Sequence, residues 1–307
     1  MAKSNHTDRV LPAIWKLPGY LTAGLSLLKF HLSLAIALSG LAGFLIYTPH
    51  MGPDTTLLFF SLLLLAAGCG GLNNIQDRKF DAKLLRTQTR PLPRGLIQLR
   101  HAKLLSGVAI FAGLCSLAAL SRHELLFWGL LALFCYNGLY TPLKRITAWA
   151  MLPGVVCGIL PVYMGWRAGG GPFFSMPILF LMALLALWQL PHFWLLVLVY
   201  HHDYRRKPAP PNLLNRLGPH QLERISLVWM SSVAGVMLLL PLARLIQHPY
   251  FIAAIMSNAL LLMLTMVTVY LDRADSNSRL RQFAWLNIAV FVALGVAVAD
   301  RFWAAMV

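Results

Sequence analysis

L-L-F-F-S-L-L-L-L-A-A-G-C-G-G-L-N-N-I-Q-D-R-K-F-D, Leu57 to Asp81, decides how this chain is read. Its first part, Leu57 to Gly71, is apolar enough for the hydrocarbon of a bilayer. Its second part spaces Asn73, Asp77 and Asp81 at i, i+4 and i+8, so on a helix they share one face. Three oxygen-bearing side chains in a row suit a hard cation such as Mg²⁺. The chain continues A-K-L-L-R-T-Q-T-R-P-L-P-R-G to Gly95 and adds Arg86, Arg90 and Arg94. Acidic metal ligands beside guanidinium groups describe a site for a metal-bound polyphosphate, here at the edge of a membrane.

The rest of the chain agrees with a membrane setting. Of 307 residues, 58% are hydrophobic and 12% charged, against about 25% charged in a soluble domain. Nine apolar runs approach the roughly 17–25 residues a spanning helix needs: about 26–47, 55–73, 103–120, 124–141, 148–166, 174–200, 225–245, 250–271 and 282–304. Backbone groups in lipid must be satisfied within each segment, and the alternation of a β-barrel is missing. The expected fold is therefore an all-α integral membrane bundle of nine transmembrane helices. It has a polar N-terminal segment, 1–25, one transmembrane domain, 26–304, and polar loops at 74–102 and 201–224. The N-terminal segment lacks the apolar core and cleavage site of a signal peptide.

The net charge of +16 does not point to nucleic acid. With nine spans and the N-terminus inside, one side collects all but Arg122, Arg167, Arg244 and Arg301 of the 26 Lys and Arg residues. The positive-inside rule then puts the N-terminus, both long loops and the candidate site in the cytoplasm, in a cell inner membrane. Cys69, Cys115, Cys135 and Cys157 fall in or at the ends of spans without a C-x-x-C pair, so they read as packing residues.

A Mg²⁺-bound diphosphate at a membrane suggests a lipid diphosphate. An allylic prenyl diphosphate ionises if its leaving group is neutralised by metal and by Arg or Lys. Asn73, Asp77 and Asp81 read as the metal cluster; the bland alternative is a capped, solvated acidic face. Arg86 and Arg90 read as diphosphate contacts, folded back by Pro91 and Pro93. Lys144 and Arg145, after the fourth span, are either a diphosphate clamp or topology charges. His201-His202-Asp203-Tyr204 is a second cluster in which Asp203 is placed to hold a second Mg²⁺; Tyr204 reads as an interfacial anchor. In W-Q-L-P-H-F-W, Trp188–Trp194, His192 lies within the sixth span, where Pro191 interrupts the backbone ladder as in helices that line cavities. Its imidazole is either packed or functional, as an iron ligand or an acid/base group.

These motifs resemble the UbiA-type intramembrane prenyltransferase superfamily: N-x-x-x-D-x-x-x-D at Asn73, Asp77 and Asp81, and R-T-x-x-R-P-L at Arg86–Leu92. Further strings resemble its haem o synthase branch: Asn73-Asn74, Y-T-P-L-K-R-I-T at Tyr140–Thr147, W-Q-L-P-H-F-W, Asp203-Tyr204 and G-I-L-P-V-Y-M-G-W at Gly158–Trp166. The resemblance implies farnesyl diphosphate as donor, a vinyl group of haem b as acceptor and Mg²⁺ as cofactor. It implies His192 and His202 as catalytic candidates and Lys29, Tyr140, Trp188 and Phe193 as pocket residues. It also implies haem-handling or terminal-oxidase assembly proteins as partners. The chain departs from the pattern at Lys29-Phe30, where the family has Lys-Pro, at Pro161-Val162, and at K-P-A-P-P-N-L from Lys207 to Leu213. Another acceptor, such as a quinone precursor or a tetrapyrrole side chain, and a non-enzymatic membrane transporter stand as alternatives.

Overall fold

The computed structural model describes residues 19–205, 210–271 and 276–307. Most of the expected segment 1–25 and the stretch Lys207–Ala209 lie outside the described residues. Every regular element among the described residues is a helix: α1 (Gly19–Leu27), α2 (Phe30–Tyr47), α3 (Pro53–Asp81), α4 (Leu99–Ala118), α5 (Glu124–Leu143), α6 (Met151–Ala168), α7 (Met176–Val199), α8 (His201–Arg205), α9 (Pro219–Leu239), α10 (Pro249–Leu271) and α11 (Ser276–Met306). All but α1 and α8 are long and apolar enough to cross a membrane, which gives nine spans among the described residues. Their outer faces stay apolar: Leu104, Val108 and Phe111 of α4 are largely exposed. A helix apolar on its outside as well as its inside belongs in lipid.

Consecutive spans run up and down. The starts of α2, α4, α6, α9 and α11 therefore share one end of the bundle with the finishes of α3, α5, α7 and α10. Helices α2, α3, α5, α6, α7 and α11 surround a central cavity. Helix α4 packs behind α3, while α9 and α10 pack behind α7 and α11. The tightest crossing is α2 on α6. A Cβ added at Gly165 would lie 1.8 Å from the carbonyl oxygen of Gly40, and one at Gly43 would lie 2.1 Å from that of Val162. Small residues here let two backbones touch, the usual basis of helix association in a bilayer.

Several boundaries differ from the sequence reading. The second span does not stop near residue 73; α3 runs on to Asp81, and the polar loop starts at 82 instead of 74. Asn73, Asn74, Asp77 and Asp81 are buried against protein, so hydropathy alone mistakes them for loop. The seventh span is 219–239 instead of 225–245, because the polar first turns of α9 are helical. The sixth span keeps its expected extent: α7 runs through Pro191 to Val199.

Candidate active site

The acidic motif forms one wall at the end of α3. Asn73, Asp77 and Asp81 are 1%, 3% and 4% exposed. Helical spacing aligns them: the Asn73 amide Nδ2 donates to Asp77 Oδ2 at 3.1 Å and to Thr141 Oγ1 at 2.9 Å. Carboxylates this deeply buried need positive partners. Lys144 Nζ donates to Asp77 Oδ2, and Arg145 Nη2 bonds Asp77 Oδ1 at 3.0 Å. Arg90 Nη1 bonds Asp81 Oδ2 at 2.7 Å and Asn74 Oδ1 at 3.2 Å. Lys29 Nζ donates to Asn73 Oδ1 at 2.5 Å and to the Tyr136 hydroxyl at 3.4 Å.

Two carboxylates, Asp77 and Asp81, thus meet Arg90, Lys144 and Arg145, with Lys29 on the neighbouring Asn73 and Arg86 in the same cavity lining. The excess is positive and suits a polyanion. Lys29 feels that excess: burial, then the like charges of Arg90 and Lys144, pull its ammonium down to about 7 against the opposing pull of Asp77 and Asp81. Burial likewise lowers Lys144, offset in part by Asp77. Lys29 also holds left-handed backbone, φ 49° and ψ 47°, at the break between α1 and α2. For a residue with a Cβ this is an uncommon conformation that is retained where function needs it. Ser33 Oγ steadies the break by donating to the carbonyls of Leu28 and Lys29.

The loop after α3 folds back over the motif. Thr87 Oγ1 donates to the Asp81 carbonyl at 3.0 Å, and the Leu96 N–H closes on the Pro91 carbonyl at 2.9 Å. Asp203 of α8 pins this loop: its Oδ2 accepts the Arg86 backbone N–H at 2.7 Å. The structure therefore ties Asp203 to the Arg86 segment; it does not line the cavity beside Asp77.

Below the polar end lies an apolar limb, and the whole cavity holds about 500 Å³. Its lining on α3 runs from Asp81 to Leu62, about 28 Å of helix at 1.5 Å per residue. Leu32, Ile36, Leu65 and Met164 line this limb. Tyr136 and Tyr140 stand where polar and apolar parts meet, with ring centroids 5.5 Å apart and planes within 11°. They come from a wide π-type turn in α5, Phe134–Tyr140, a feature often found at functional sites. Lys144 Nζ lies 5.2 Å from the centre of the Tyr140 ring.

The cavity lining also carries Trp188, His192 and Phe193 of α7. The His192 ring sits 4.9 Å from Trp188 and 4.8 Å from Phe283 of α11, and its Nδ1 lies 2.8 Å from Asn287 Oδ1.

The cavity thus gathers Lys29, Asn73, Asp77, Asp81, Arg86, Arg90, Tyr140, Lys144, Trp188, His192 and Phe193, which lie far apart in sequence. Arg145 reaches Asp77 from the exposed rim. His202 is not brought in: it is exposed and does not line the cavity, its ring 3.9 Å from that of His201. The turn of α8 that buries Asp203 and Tyr204 leaves their neighbour His202 outside. Arg94 is also exposed and off the cavity. Sequence reasoning missed Tyr136, Thr141 and Asn287, and took Tyr204 for an interfacial anchor, whereas it is buried and lines the cavity. An aromatic four residues before Tyr140 was the one available signal for Tyr136.

Residues 33–289 match the model of the UbiA prenyltransferase family. A protoheme IX farnesyltransferase of Oleidesulfovibrio alaskensis is 34% identical over 221 residues, covering 72% of this chain and 78% of that one. One from Bdellovibrio bacteriovorus is 31% identical over 283 residues, covering 90% and 94%. Among solved structures, a digeranylgeranylglyceryl phosphate synthase superposes with a TM-score of 0.72 at 17% identity, covering 92% of this chain and 99% of that one. A UbiA homolog from Archaeoglobus fulgidus bound to DMAPP and Mg²⁺ superposes with a TM-score of 0.69 at 17% identity, covering 91% and 98%.

Proposed function

The chain belongs to the UbiA prenyltransferase family, a family of membrane enzymes, and on that premise we propose that it transfers the farnesyl group of farnesyl diphosphate to a vinyl group of haem b, giving haem o. The carrying observation is one cavity with two chemically distinct walls. A buried Asn73–Asp77–Asp81 face ringed by basic side chains opens onto an apolar limb, and His192 lines the same cavity. Relatives named protoheme IX farnesyltransferase support the choice of acceptor.

Arg86, Arg90, Lys144 and Arg145 bind and orient the diphosphate, and Lys29 closes the mouth of the apolar limb. The limb takes the prenyl chain and keeps water from the allylic carbon. The donor set fits Mg²⁺: all three side chains offer oxygen, are buried, and already face cations on those oxygens. Asn73, Asp77 and Asp81 would hold it, while Asp203 fixes the Arg86 segment through the Arg86 backbone N–H. When bound, Mg²⁺ neutralises charge on the departing diphosphate. The C–O bond to the diphosphate breaks and its electron pair leaves with that group. The vinyl π electrons form the new C–C bond, and water adds to the resulting cation with loss of a proton. Tyr136 and Tyr140 present ring faces where the allylic charge develops. His192 faces the acceptor and contacts its iron through the imidazole. The end of the bundle that carries the site also carries the excess of Lys and Arg, which supports an active site facing the cytoplasm from the inner membrane.

Purified protein given farnesyl diphosphate, haem b and Mg²⁺ is expected to yield haem o by mass spectrometry. Turnover of a phenolic acceptor with no turnover of haem b would overturn the choice of acceptor.

A further inference from the structure

Asn287 of α11 touches the site only through His192; it does not line the cavity. Its carboxamide is fixed at both ends. Nδ2 donates to the carbonyl of Phe283, one turn back on α11. A backbone carbonyl has no hydrogen to give, so the NH₂ end of the amide must face it. The amide oxygen therefore faces His192, and Oδ1 lies 2.8 Å from Nδ1. An amide oxygen can only accept, so the hydrogen in that bond belongs to Nδ1. A neutral imidazole carries one N–H, which leaves Nε2 with the free lone pair. Trp188 and Phe283 flank the ring at 4.9 and 4.8 Å between centroids, which restricts its rotation.

We infer that Asn287 is a positioning residue that holds His192 in the Nδ1–H tautomer and so presents Nε2 to the iron of the acceptor porphyrin. The inference rests on the reading of His192 given above. It assigns His192 the task of placing the acceptor, so that the vinyl group meets the allylic carbon. A histidine that binds metal commonly donates its other ring N–H to such a partner, and loss of the partner costs about 10–100-fold in metal affinity.

The test uses the full chain in detergent, titrated with haem b and followed by absorbance and by the iron–histidine band in resonance Raman spectra. Asn287→Leu is expected to weaken haem b binding roughly 10- to 100-fold and to abolish that band, while binding of Mg²⁺ and a non-hydrolysable farnesyl diphosphate analogue is unchanged. Asn287→Asp keeps the band, since the carboxyl group accepts from Nδ1–H in either protonation form, and a carboxylate raises its frequency. If His192→Ala loses the band but Asn287→Leu keeps both band and affinity, the role of Asn287 is overturned and the reading of His192 stands. If His192→Ala keeps the band, that reading fails and this inference falls with it. Should the Leu variant fail to fold, the Asp variant decides: loss of the band overturns the inference.

Discussion

Lys144 and Arg145 occupy both oxygens of Asp77, the central residue of the proposed metal face. The same lysine is proposed to bind the diphosphate. It must therefore oppose metal binding on its own and favour substrate binding, and one substitution should move the two affinities in opposite directions. Lys144→Met preserves the apolar stem and removes the charge. Two unit charges 4 Å apart interact by about 4 kcal/mol near a protein surface. The Lys144 side chain is 24% exposed, and Arg145 still covers the other oxygen. Solvent screening and that remaining partner reduce the competition to about 1–2 kcal/mol. Mg²⁺ alone should then bind roughly 5- to 30-fold more tightly to Lys144→Met than to the parent. The diphosphate loses a charge-assisted hydrogen bond worth about 1.5–3 kcal/mol, so a farnesyl thiodiphosphate analogue with saturating Mg²⁺ should bind roughly 10- to 150-fold more weakly. Isothermal titration calorimetry in detergent measures both. Parallel weakening of the two affinities, or no change in either, would refute the shared role of Lys144.

Asp203→Asn should keep most activity and Asp203→Ala should lose it, because an amide oxygen can still accept the Arg86 N–H; equal loss in both variants would instead make Asp203 a metal ligand. Gly165→Ala drives a Cβ to within 1.8 Å of the Gly40 carbonyl oxygen, so it should destabilise the bundle by about 1–3 kcal/mol or more, seen as a lower midpoint in thermal unfolding in detergent. The Lys29 ammonium is pulled down to about 7 in the fold, against about 10.4 in an unfolded chain. The unfolded chain therefore binds more protons between these values, and stability falls as pH drops from about 10 to 7. Lys29→Met should flatten that part of the pH–stability curve, and an unchanged slope would place its origin elsewhere.

Much of this architecture is legible in the sequence because lipid imposes long uninterrupted apolar runs. The shared face of Asn73, Asp77 and Asp81 is legible because i, i+4, i+8 spacing survives any detail of packing. What is not legible is burial by protein. Asn73 to Asp81 look like loop to a hydropathy reading, yet they finish α3 because α5 and the folded-back loop supply Thr141, Lys144 and Arg90 as partners. The partner of His192 lies 95 residues away on α11, and nothing near either residue announces the pair. His202 shows the opposite error: its neighbours Asp203 and Tyr204 turn inward, while helical rotation carries His202 to the surface. Tyr136 is hidden because a π-type turn, not regular helix, stacks it on Tyr140.

The account rests most heavily on one buried face activating a prenyl diphosphate for transfer to haem. Its most direct test is mass analysis of porphyrins after incubating purified parent and Asp77→Ala proteins with farnesyl diphosphate, haem b and Mg²⁺. The account predicts haem b plus one farnesyl group and one water from the parent, and a loss of at least about 100-fold in the variant, the scale on which removal of a transition-state charge stabiliser acts. Full Mg²⁺-dependent turnover by Asp77→Ala, or unmodified haem b from the parent, would contradict it.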